Sequence, residues 1–289
     1  MHSHHQHTVI LYHAKCPDGF GAAYAAWKKY GDTAEYIPVK HGGPVPEHMD
    51  GREIIMVDFC FPKEEMEMLR STAESVTVLD HHEGIRAVAT SFPGVFDPTR
   101  SGASIAWAYF HPDTSMPKLI NYLEDGDLYH YTLPETRDIF SFLQVYPYTF
   151  EKWDELVMTL EDPSTREKFL TKARIYTEYF ELLGAEAASG ARLVSFEGYQ
   201  CYFANSHPST TMKSYVAHIL YEKLPPISIM VSARPDGFGV SIRSDGSVDV
   251  AKIAQKYGGN GHPGAAGFFI PNGKEMPWVE IEDHEDSSH

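Results

Sequence analysis

The sequence has few cysteines, no long apolar run and fewer basic than acidic residues. Its three cysteines, Cys16, Cys60 and Cys201, are too few and too widely spaced for a disulfide framework or a zinc finger. No apolar run approaches the roughly 20 residues that a membrane-spanning helix requires. The His-rich N-terminus lacks the basic and apolar regions of a secretory signal. We therefore expect a cytoplasmic protein that does not associate with membranes.

The shortage of basic residues restricts the partners of the chain. There are 24 Lys and Arg residues against 40 Asp and Glu residues, which gives a formal net charge of -16. Such a charge repels long nucleic-acid duplexes and argues against a protein that reads or coats them. A small phosphorylated substrate remains compatible with it, because clustered carboxylates can bind cations that reverse the local field.

A length of 289 residues predicts two domains. We interpret residues 1–7 as a disordered His-rich tail and residues 276–289 as an acidic tail. Between them the patterns predict one α/β domain over 8–150, a helical connector over 151–190 and a smaller α/β domain over 191–275. The sequence leaves the oligomeric state open, a homodimer included.

The first half of the chain has the pattern of a parallel sheet. Short runs rich in Val and Ile alternate with helical patterns, which is βαβ order. The predicted strands are 8–12, 53–57 and 76–79, and the predicted helices are 21–30, 63–70 and 104–110. Ligands of such sheets bind at the carboxyl ends of the strands. Chemistry is therefore expected at His13 to Asp18, at Asp58 and at Asp80 to His82.

The second half begins with a helical pattern and then alternates strands with helices. The helical pattern covers residues 151–189. The predicted strands are 191–196, 201–204, 227–232, 239–243 and 267–270, and the predicted helices are 212–223 and 250–257.

The tripeptide Asp80-His81-His82 directly follows a predicted buried strand, and Asp58 follows another. One carboxylate in such a position could bridge two metal ions about 4 Å apart. Mixed carboxylate and imidazole ligands suit Mn²⁺, with Mg²⁺ or Co²⁺ as alternatives. The structural alternatives are an exposed loop for the tripeptide and a strand-end cap for Asp58.

Two further acidic motifs occur in the first half. The segment from His13 to Phe20 occupies the first strand-to-helix turn, where Gly19 permits close approach and the helix N-terminus favours an anion. A plain turn capped by Asp18 is the alternative. The segment Glu124-Asp125-Gly126-Asp127 follows an apolar run and by itself is typical of a helix C-terminus followed by a turn.

Near the C-terminus, Ser241-Ile242-Arg243 is followed by the run Gly258-Gly259-Asn260-Gly261-His262-Pro263-Gly264-Ala265-Ala266-Gly267. This run resembles the glycine-rich signature of DHHA1 domains, and it lies downstream of an Asp-His-His tripeptide. The chain resembles the DHH/DHHA1 superfamily of phosphoesterases over residues 8–269. The first motif is similar to that of the nanoRNase and oligoribonuclease branch.

The resemblance implies a catalytic DHH domain with two divalent metal ions, and a DHHA1 domain that closes over a cleft holding the substrate. It implies metal ligands at His13, Asp18, Asp58, His81 and Asp125, with Asp58 bridging both ions. Asp125 is preferred to Asp127 because it precedes the aromatic residue Tyr129 by four positions. The resemblance also implies that His82 faces the scissile phosphate, that Asp80 orients a histidine, and that substrate is bound by four residues of the second domain: Arg243, Gly259, Gly261 and His262.

The chain departs from the family pattern at Cys16, where many members have an aspartate, and its His-to-Asp spacing is one residue shorter. The first metal site is therefore expected to be weaker, differently coordinated, or filled only with substrate. A thiolate ligand and a small buried residue are the two interpretations of Cys16.

The predicted activity is metal-dependent hydrolysis of short oligonucleotides from the 3′ end, releasing 5′-mononucleotides. The direction is implied by the family alone. Alternatives are a phosphatase for adenosine 3′,5′-bisphosphate and a phosphodiesterase for linear or cyclic dinucleotides. More distant ones are a polyphosphatase or pyrophosphatase and a nucleotide-binding sensor without catalytic activity.

Overall fold

The computed structural model describes residues 6–40, 42–128, 130–206 and 210–281. The chain divides into two compact units, Met1–Thr177 and Glu178–His289. The predicted N-terminal tail is described only at Gln6 and His7, and residues 282–289 of the predicted acidic tail lie outside the described part. Each unit contains one sheet.

The first unit is built on a parallel sheet, as predicted, and this sheet has five strands. Its strand order is β2-β1-β3-β4-β5. The strands are β1 (Thr8–His13), β2 (Ala34–Val39), β3 (Glu53–Val57), β4 (Ser75–Asp80) and β5 (Gly94–Phe96). The sequence predicted β1, β3 and β4 but missed the two edge strands. The reason is that β2 contains Pro38 and lacks a continuous apolar run, while β5 has only three residues.

The inner strands have side chains buried on both faces, which explains their continuous apolar sequences. In β1, Val9, Ile10 and Leu11 are fully buried. Successive side chains of a strand point to opposite faces. Ile10 accordingly belongs to one hydrophobic core, and Val9 and Leu11 belong to the core on the other face.

Eight helices are described in this part of the chain. They are α1 (Pro17–Tyr30), α2 (Lys63–Thr72), α3 (Arg86–Ala89), α4 (Gly102–Phe110), α5 (Lys118–Asp127), α6 (Thr136–Phe142), α7 (Phe150–Glu161) and α8 (Pro163–Ser189). The glycine and alanine face of α1 packs against α4, and a Cβ atom at Gly21 would lie 2.9 Å from that of Ala103. This close packing explains the small residues of α1.

The helical connector was predicted to begin at residue 151, but α7 belongs to the core of the first unit. Trp153 is fully buried in the same cluster as α1 and α4, together with Leu156 and Leu160. The two units divide at Thr177, within α8. The prediction failed because a helical pattern alone does not tell which core the apolar face of a helix joins.

The second unit contains a seven-stranded sheet of order β10-β11-β9-β8-β7-β6-β12. Its strands are β6 (Arg192–Phe196), β7 (Tyr199–Asn205), β8 (Ile227–Arg234), β9 (Gly237–Ser244), β10 (Asn260–His262), β11 (Ala265–Pro271) and β12 (Val279–Glu280), and its helices are α9 (Thr210–Lys223) and α10 (Val250–Lys256). Among the described strands of this unit, β7 and β8 pair in parallel and the other pairs are antiparallel.

The acidic tail was predicted to begin at residue 276, which is too early. Trp278 is buried in the core of the second unit, and β12 pairs with β6. Within the described residues, no helix combines the length and apolar character needed to cross a membrane.

Candidate metal centre

Histidine and aspartate side chains meet at the carboxyl ends of three neighbouring strands. His13 is the last residue of β1, Asp58 follows β3 directly, and Asp80 ends β4, with His81 and His82 after it. The three strands are adjacent in the sheet. The parallel topology therefore brings together segments that lie far apart in the sequence, as predicted.

Asp58 lies at the centre of this group and contacts histidines through both carboxylate oxygens. Its Oδ2 is 3.3 Å from Nδ1 of His13, and its Oδ1 is 3.2 Å from Nε2 of His81. The carboxylate is almost completely buried. The carboxylate of Asp58 therefore lies between His13 and His81, with one oxygen facing each histidine.

The backbone at Asp58 adopts a conformation that favours glycine. Its φ angle is 62°, in the left-handed region. Its N–H donates to the carbonyl of Leu79 at 2.9 Å, which ties the turn to β4. Residues held in such conformations cluster at functional sites, where their side-chain direction is required.

Asp18 in the first turn of α1 is fully buried and faces the N-terminus of α4. Its carboxylate accepts hydrogen bonds from the backbone N–H groups of Gly102, at 2.6 Å, and Ala103, at 3.0 Å. Nε2 of His81 lies 3.8 Å from its Oδ2. A Cβ atom at Gly102 would lie 2.9 Å from the same oxygen and 2.8 Å from Oδ1 of Asp58. Only glycine leaves this space open.

The structure places Asp127, and not the predicted Asp125, in the group. Oδ2 of Asp127 lies 3.7 Å from Nε2 of His81. The carboxylate of Asp125 instead accepts hydrogen bonds from Thr132 and Leu133, which precede α6, and from Thr136, its first residue. The candidate ligand is thus the reserve residue of the prediction. The aromatic residue used to choose Asp125, Tyr129, lies outside the described residues.

Asp80 holds the two histidines that follow it. Its Oδ1 accepts hydrogen bonds from the backbone N–H groups of His81, at 2.6 Å, and His82, at 3.1 Å, and it lies 2.7 Å from Nδ1 of His82. The histidine that Asp80 orients is therefore His82. The side chain of His82 is 37% exposed, against 10% for His81, so His82 is the more accessible of the pair.

The crowded carboxylates have strongly perturbed acidities. Burial opposes ionisation of Asp58, but hydrogen bonds from His13 and His81 outweigh it and lower its pKa. Burial, and then the charge of Asp58, raises the pKa of Asp127 to about 6. Burial also raises the pKa of Asp18, with Asp127 and Asp58 adding to the effect. Like charges held this close need protons or cations to balance them.

The histidines supply part of this balance in the absence of a metal ion. Burial lowers the pKa of His82, but the hydrogen bond with Asp80 and the charge of Asp58 outweigh it and raise the pKa to about 9. The pKa of His81 is also raised: burial opposes protonation, while the hydrogen bond and charge of Asp58 favour it. Positive charge on His81 and His82 therefore counters part of the negative charge of the neighbouring carboxylates.

The residues present fit a divalent metal ion. Among the described residues, three sets of ligand atoms each lie within 4.8 Å of one another, and Asp58 belongs to two of them. The sets are Asp58, Asp80, His81 and His82; His13, Cys16 and Asp58; and Asp18, His81 and Asp127. The buried Oδ2 of Asp80 has no hydrogen-bond partner among the described residues. Hard divalent ions favour such oxygen and imidazole donors.

The sulfur of Cys16 lies in the set with His13 and Asp58. Burial, and then the charge of Asp58, raises the pKa of this thiol. A raised pKa disfavours the thiolate, the form that binds metals, unless an ion is present.

The predicted substrate-binding residues lie in the second unit. Arg243 lies near the end of β9, half-buried, and its Nη1 donates to the carbonyl of Ile242. The backbone of Gly264 accepts from Ser244 at 3.1 Å, so the glycine-rich loop reaches the same end of β9. Both predicted loop glycines are sterically required. A Cβ atom at Gly259 would collide with the carbonyl of Gly267, and one at Gly261 would collide with Ala266.

His262 lies in β10, which pairs with β11. Its backbone is opposite Ala265, and Ala265 is opposite Arg243 in β9. The topology therefore brings the loop and Arg243 to one region of the sheet.

The sequence prediction missed the N-terminus of α4 and its role in the site. The helix was predicted to start at Ser104, but it starts at Gly102 and is capped by the hydroxyl of Ser101. The sequence feature that could have indicated this helix start was Ser101, a residue type that commonly caps helices, followed by Gly102 and Ala103. What the pattern did not show was that Asp18 would use the first two N–H groups.

The chain is similar to one known domain family and to a viral protein. Residues 204–281 match the model of the DHHA1 domain. An uncharacterized protein of Acanthamoeba polyphaga mimivirus is 26% identical over 309 residues, which cover 96% of this chain and 71% of that protein.

Three solved structures share the fold. The DHH domain of a member of the s1p family of ribosomal proteins has a TM-score of 0.63 at 14% identity, covering 91% of this chain and 82% of that chain. The pGpG-specific phosphodiesterase of Vibrio cholerae has a TM-score of 0.52 at 15% identity, and the match covers 92% of this chain and 94% of that chain. The exonuclease RecJ bound to manganese has a TM-score of 0.52 at 14% identity, and the match covers 91% of this chain and 86% of that chain.

Residues 204–281 thus match the DHHA1 domain, and the chain shares the fold of these solved structures, with the Asp80-His81-His82 tripeptide at the end of β4.

Proposed function

We propose that the chain is a divalent-metal-dependent phosphodiesterase that hydrolyses short oligonucleotides, releasing 5′-mononucleotides from the 3′ end. The observation that carries the proposal is the position of Asp58, which presents one carboxylate oxygen to His13 and the other to His81. This is the arrangement expected of a ligand shared by two ions.

The ligands proposed for two ions, Mn²⁺ in the first place with Mg²⁺ or Co²⁺ as alternatives, are His13, Asp18, Asp58, His81 and Asp127. When bound, such ions activate water and stabilise the negative charge that develops on the reacting phosphate. The buried carboxylates would hold such ions in fixed positions, because the backbone N–H groups of α4 orient Asp18 and the turn after β3 orients Asp58.

His82 is the proposed contact to the scissile phosphate. Its Nδ1 faces Asp80, so its Nε2 remains to donate a hydrogen bond to a phosphate oxygen. Its raised pKa keeps a proton on both ring nitrogens at neutral pH in the metal-free protein. Asp80 thus acts by fixing the ring of His82 rather than by contacting the substrate.

Two arguments favour short substrates. The net charge of -16 repels a long single strand, whereas a dinucleotide carries few phosphates. In addition, the Vibrio cholerae protein of the same fold is a pGpG-specific phosphodiesterase. That protein also makes a linear-dinucleotide phosphodiesterase the second candidate, and the two candidates differ in whether substrates of three to five nucleotides are accepted.

The test is an assay of purified protein on substrates of two to five nucleotides, after EDTA treatment and after addition of Mn²⁺, Mg²⁺ or Co²⁺. Activity should vanish with EDTA and return best with Mn²⁺. Turnover of the dinucleotide alone would favour the second candidate. Full turnover by the metal-free protein would exclude the proposed centre, and binding without turnover under any metal would favour a nucleotide sensor.

A further inference from the structure

Two aspartates of the proposed metal centre approach the same atom of His81. Oδ2 of Asp18 lies 3.8 Å from Nε2 of His81, and Oδ2 of Asp127 lies 3.7 Å from it. Asp18 lies in the first turn of α1, whereas Asp127 is the last residue of α5. Metal ions tolerate only small deviations in ligand distance. The relative position of these two segments therefore decides how well the three residues can hold an ion.

The first turn of α4 fixes one of these aspartates directly. The first N–H groups of a helix have no partner within the helix. In α4, those of Gly102 and Ala103 donate to the carboxylate of Asp18, at 2.6 and 3.0 Å. The N–H of Ser104 donates to the hydroxyl of Ser101 at 3.2 Å. The position of Asp18 is therefore set by the backbone at the start of α4.

Glu124 connects α5 to the same turn of α4. Its Oε2 accepts hydrogen bonds from the backbone N–H of Ser101, at 3.2 Å, and from the hydroxyl of Ser104. Both serines are fully buried. Glu124 precedes Asp127 by three residues, so the two side chains lie on the same side of α5. The turn that holds Asp18 through its N–H groups thus also holds the end of α5 through Glu124.

Glu124 is neither the cap of α4 nor a candidate metal ligand. Ser101 caps the helix through its hydroxyl, whereas Glu124 accepts from the N–H of Ser101 itself, outside the helical hydrogen bonds. Among the residues that the structure describes, Glu124 belongs to none of the three sets of ligand atoms. Its contacts therefore concern the position of α5 relative to α4.

The charge of Glu124 is offset by a neighbouring guanidinium group. Nε of Arg100 lies 3.7 Å from Oε2 of Glu124, and Nη2 of Arg100 donates to the carbonyl of Ser104 at 2.7 Å. Opposite charges this close largely cancel at a distance. Glu124 thus adds little net attraction for a cation, and its contribution to the centre is geometric.

We propose that Glu124 is a positioning residue of the metal centre, which sets the distance between Asp18 and Asp127 by fixing the end of α5 to the first turn of α4. The inference rests on the proposed function, because it concerns the ion assigned to Asp18, His81 and Asp127. It names a residue outside the ligand set on which that ion depends.

Removal of Glu124 should weaken one ion and spare the other. The ion proposed beside His13 has its ligands at the end of β1 and after β3, and none of them lies on α5. The ion beside Asp127 depends on α5. Its affinity should fall by a factor on the order of 10, the lower end of the loss caused by removing residues that orient metal ligands.

The test is a calorimetric titration of Mn²⁺ into EDTA-treated and dialysed protein, so hydrolysis is not needed. Wild-type protein should bind two ions. Glu124→Ala should raise the Kd of one ion by a factor on the order of 10 and leave the other Kd unchanged. Glu124→Gln keeps an oxygen that accepts from both serines and should retain the wild-type values. Equal losses in the Gln and Ala variants would indicate an effect of charge and overturn the inference.

Glu161→Ala is the matched control. The carboxylate of Glu161 accepts from the N–H of Lys118, the first residue of α5, at 2.8 Å, and pairs with the ammonium group of Lys118 at 2.8 Å. It holds the opposite end of the same helix, about 14 Å along the axis from Asp127. Glu161→Ala should lower the Tm without changing either Kd for Mn²⁺.

Ser104→Ala is a milder probe of the same connection. It removes the hydroxyl that donates to Glu124 and keeps the backbone N–H of Ser101, so it should raise the same Kd by a smaller factor. Thermal unfolding of each variant checks that it is folded.

The outcomes separate the inference from the proposed function. A lower Tm with unchanged Mn²⁺ affinities in Glu124→Ala and Ser104→Ala would show a purely structural role and overturn the inference, while the proposed function would stand. Two bound ions, with the expected loss in Glu124→Ala but no hydrolysis of any oligonucleotide, would support the inference and refute the proposed function. Failure of the wild type to bind Mn²⁺ would overturn both.

Discussion

Nε2 of His81 lies 3.2 Å from Oδ1 of Asp58, so the histidine occupies one side of a carboxylate whose other oxygen faces His13. In the proposed metal centre, Asp58 is therefore the ligand shared by both ions. Asp58→Ala should lower turnover of a dinucleotide by a factor on the order of 1,000 or more and should remove metal, because a shared ligand serves both ions. Metal content by mass spectrometry and steady-state kinetics measure this. Asp113→Ala, at an exposed aspartate of the same unit, is the control, and wild-type metal content in Asp58→Ala would contradict the prediction.

The two aspartates at the end of α5 should behave differently. Asp127→Asn should reduce metal content and activity. Asp125→Asn should leave metal content near wild type and destabilise the fold by about 1–3 kcal/mol, because it weakens hydrogen bonds to Thr132 and Thr136. Denaturant unfolding and metal analysis of both variants decide the question. Loss of metal in Asp125→Asn alone would restore the residue first predicted from the sequence.

The stability contributed by Asp125 should depend on pH in a defined direction. Burial opposes ionisation of Asp125, but hydrogen bonds from Thr132 and Thr136 outweigh it and lower its pKa to about 2. The unfolded-state pKa is about 3.9. A lowered pKa stabilises the fold above the unfolded value, and that stabilisation is lost as the pH falls from about 4 toward 2. The difference in unfolding free energy between wild type and Asp125→Asn should therefore shrink over this range.

Gly102→Ala should damage the metal centre without touching a ligand. The added methyl group would lie 2.8 Å from Oδ1 of Asp58 and 2.9 Å from Oδ2 of Asp18. Displacing these carboxylates should lower kcat/KM by a factor on the order of 100. Gly190→Ala is the control, because among the described residues beyond its chain neighbours an added Cβ there would come no closer than 3.9 Å, to the carbonyl of Ala187. Wild-type kinetics in Gly102→Ala would show that the space beside the carboxylates has no role in the site.

The rate of cleavage should depend on substrate length, and added salt should reduce this dependence. Substrates of two to five nucleotides should be cleaved much faster than long single strands at low ionic strength, since the acidic protein repels a long polyanion. Raising the ionic strength screens this repulsion and should narrow the difference. Rates on a dinucleotide and a long strand across a salt series provide the measurement. Equal rates at low salt would rule out the preference for short substrates.

Arg243→Lys tests whether the guanidinium group itself is required. If Arg243 binds phosphate through two parallel hydrogen bonds, lysine keeps the charge but loses the fork, and kcat/KM should fall by a factor on the order of 10 to 100. His262→Ala should also lower kcat/KM. Metal content should not change in either variant, because both residues lie in the second unit. Wild-type kcat/KM in both would remove these residues from the substrate site.

The motifs and strand patterns of the first half were readable from the sequence because each depends on local chemistry. A buried parallel strand is a short run of Val and Ile, and polar residues after it mark the carboxyl end of the sheet. His13, Asp18, Asp58, His81 and His82 were found in this way, and the structure brings all five together.

Other features depended on contacts between distant segments, which no local pattern records. Asp125 and Asp127 are two residues apart on one helix, and only the packing of α5 directs Asp127 toward His81 and Asp125 toward α6. Trp153 and Trp278 were assigned to a connector and a tail, because apolar residues there gain their partners from cores formed elsewhere in the chain. The amino-acid sequence by itself determined the inner strands of the parallel sheet and the polar motifs at their carboxyl ends. The tertiary structure alone decided which of the two carboxylates, Asp125 or Asp127, lies beside His81, because this depends on the directions of side chains after packing.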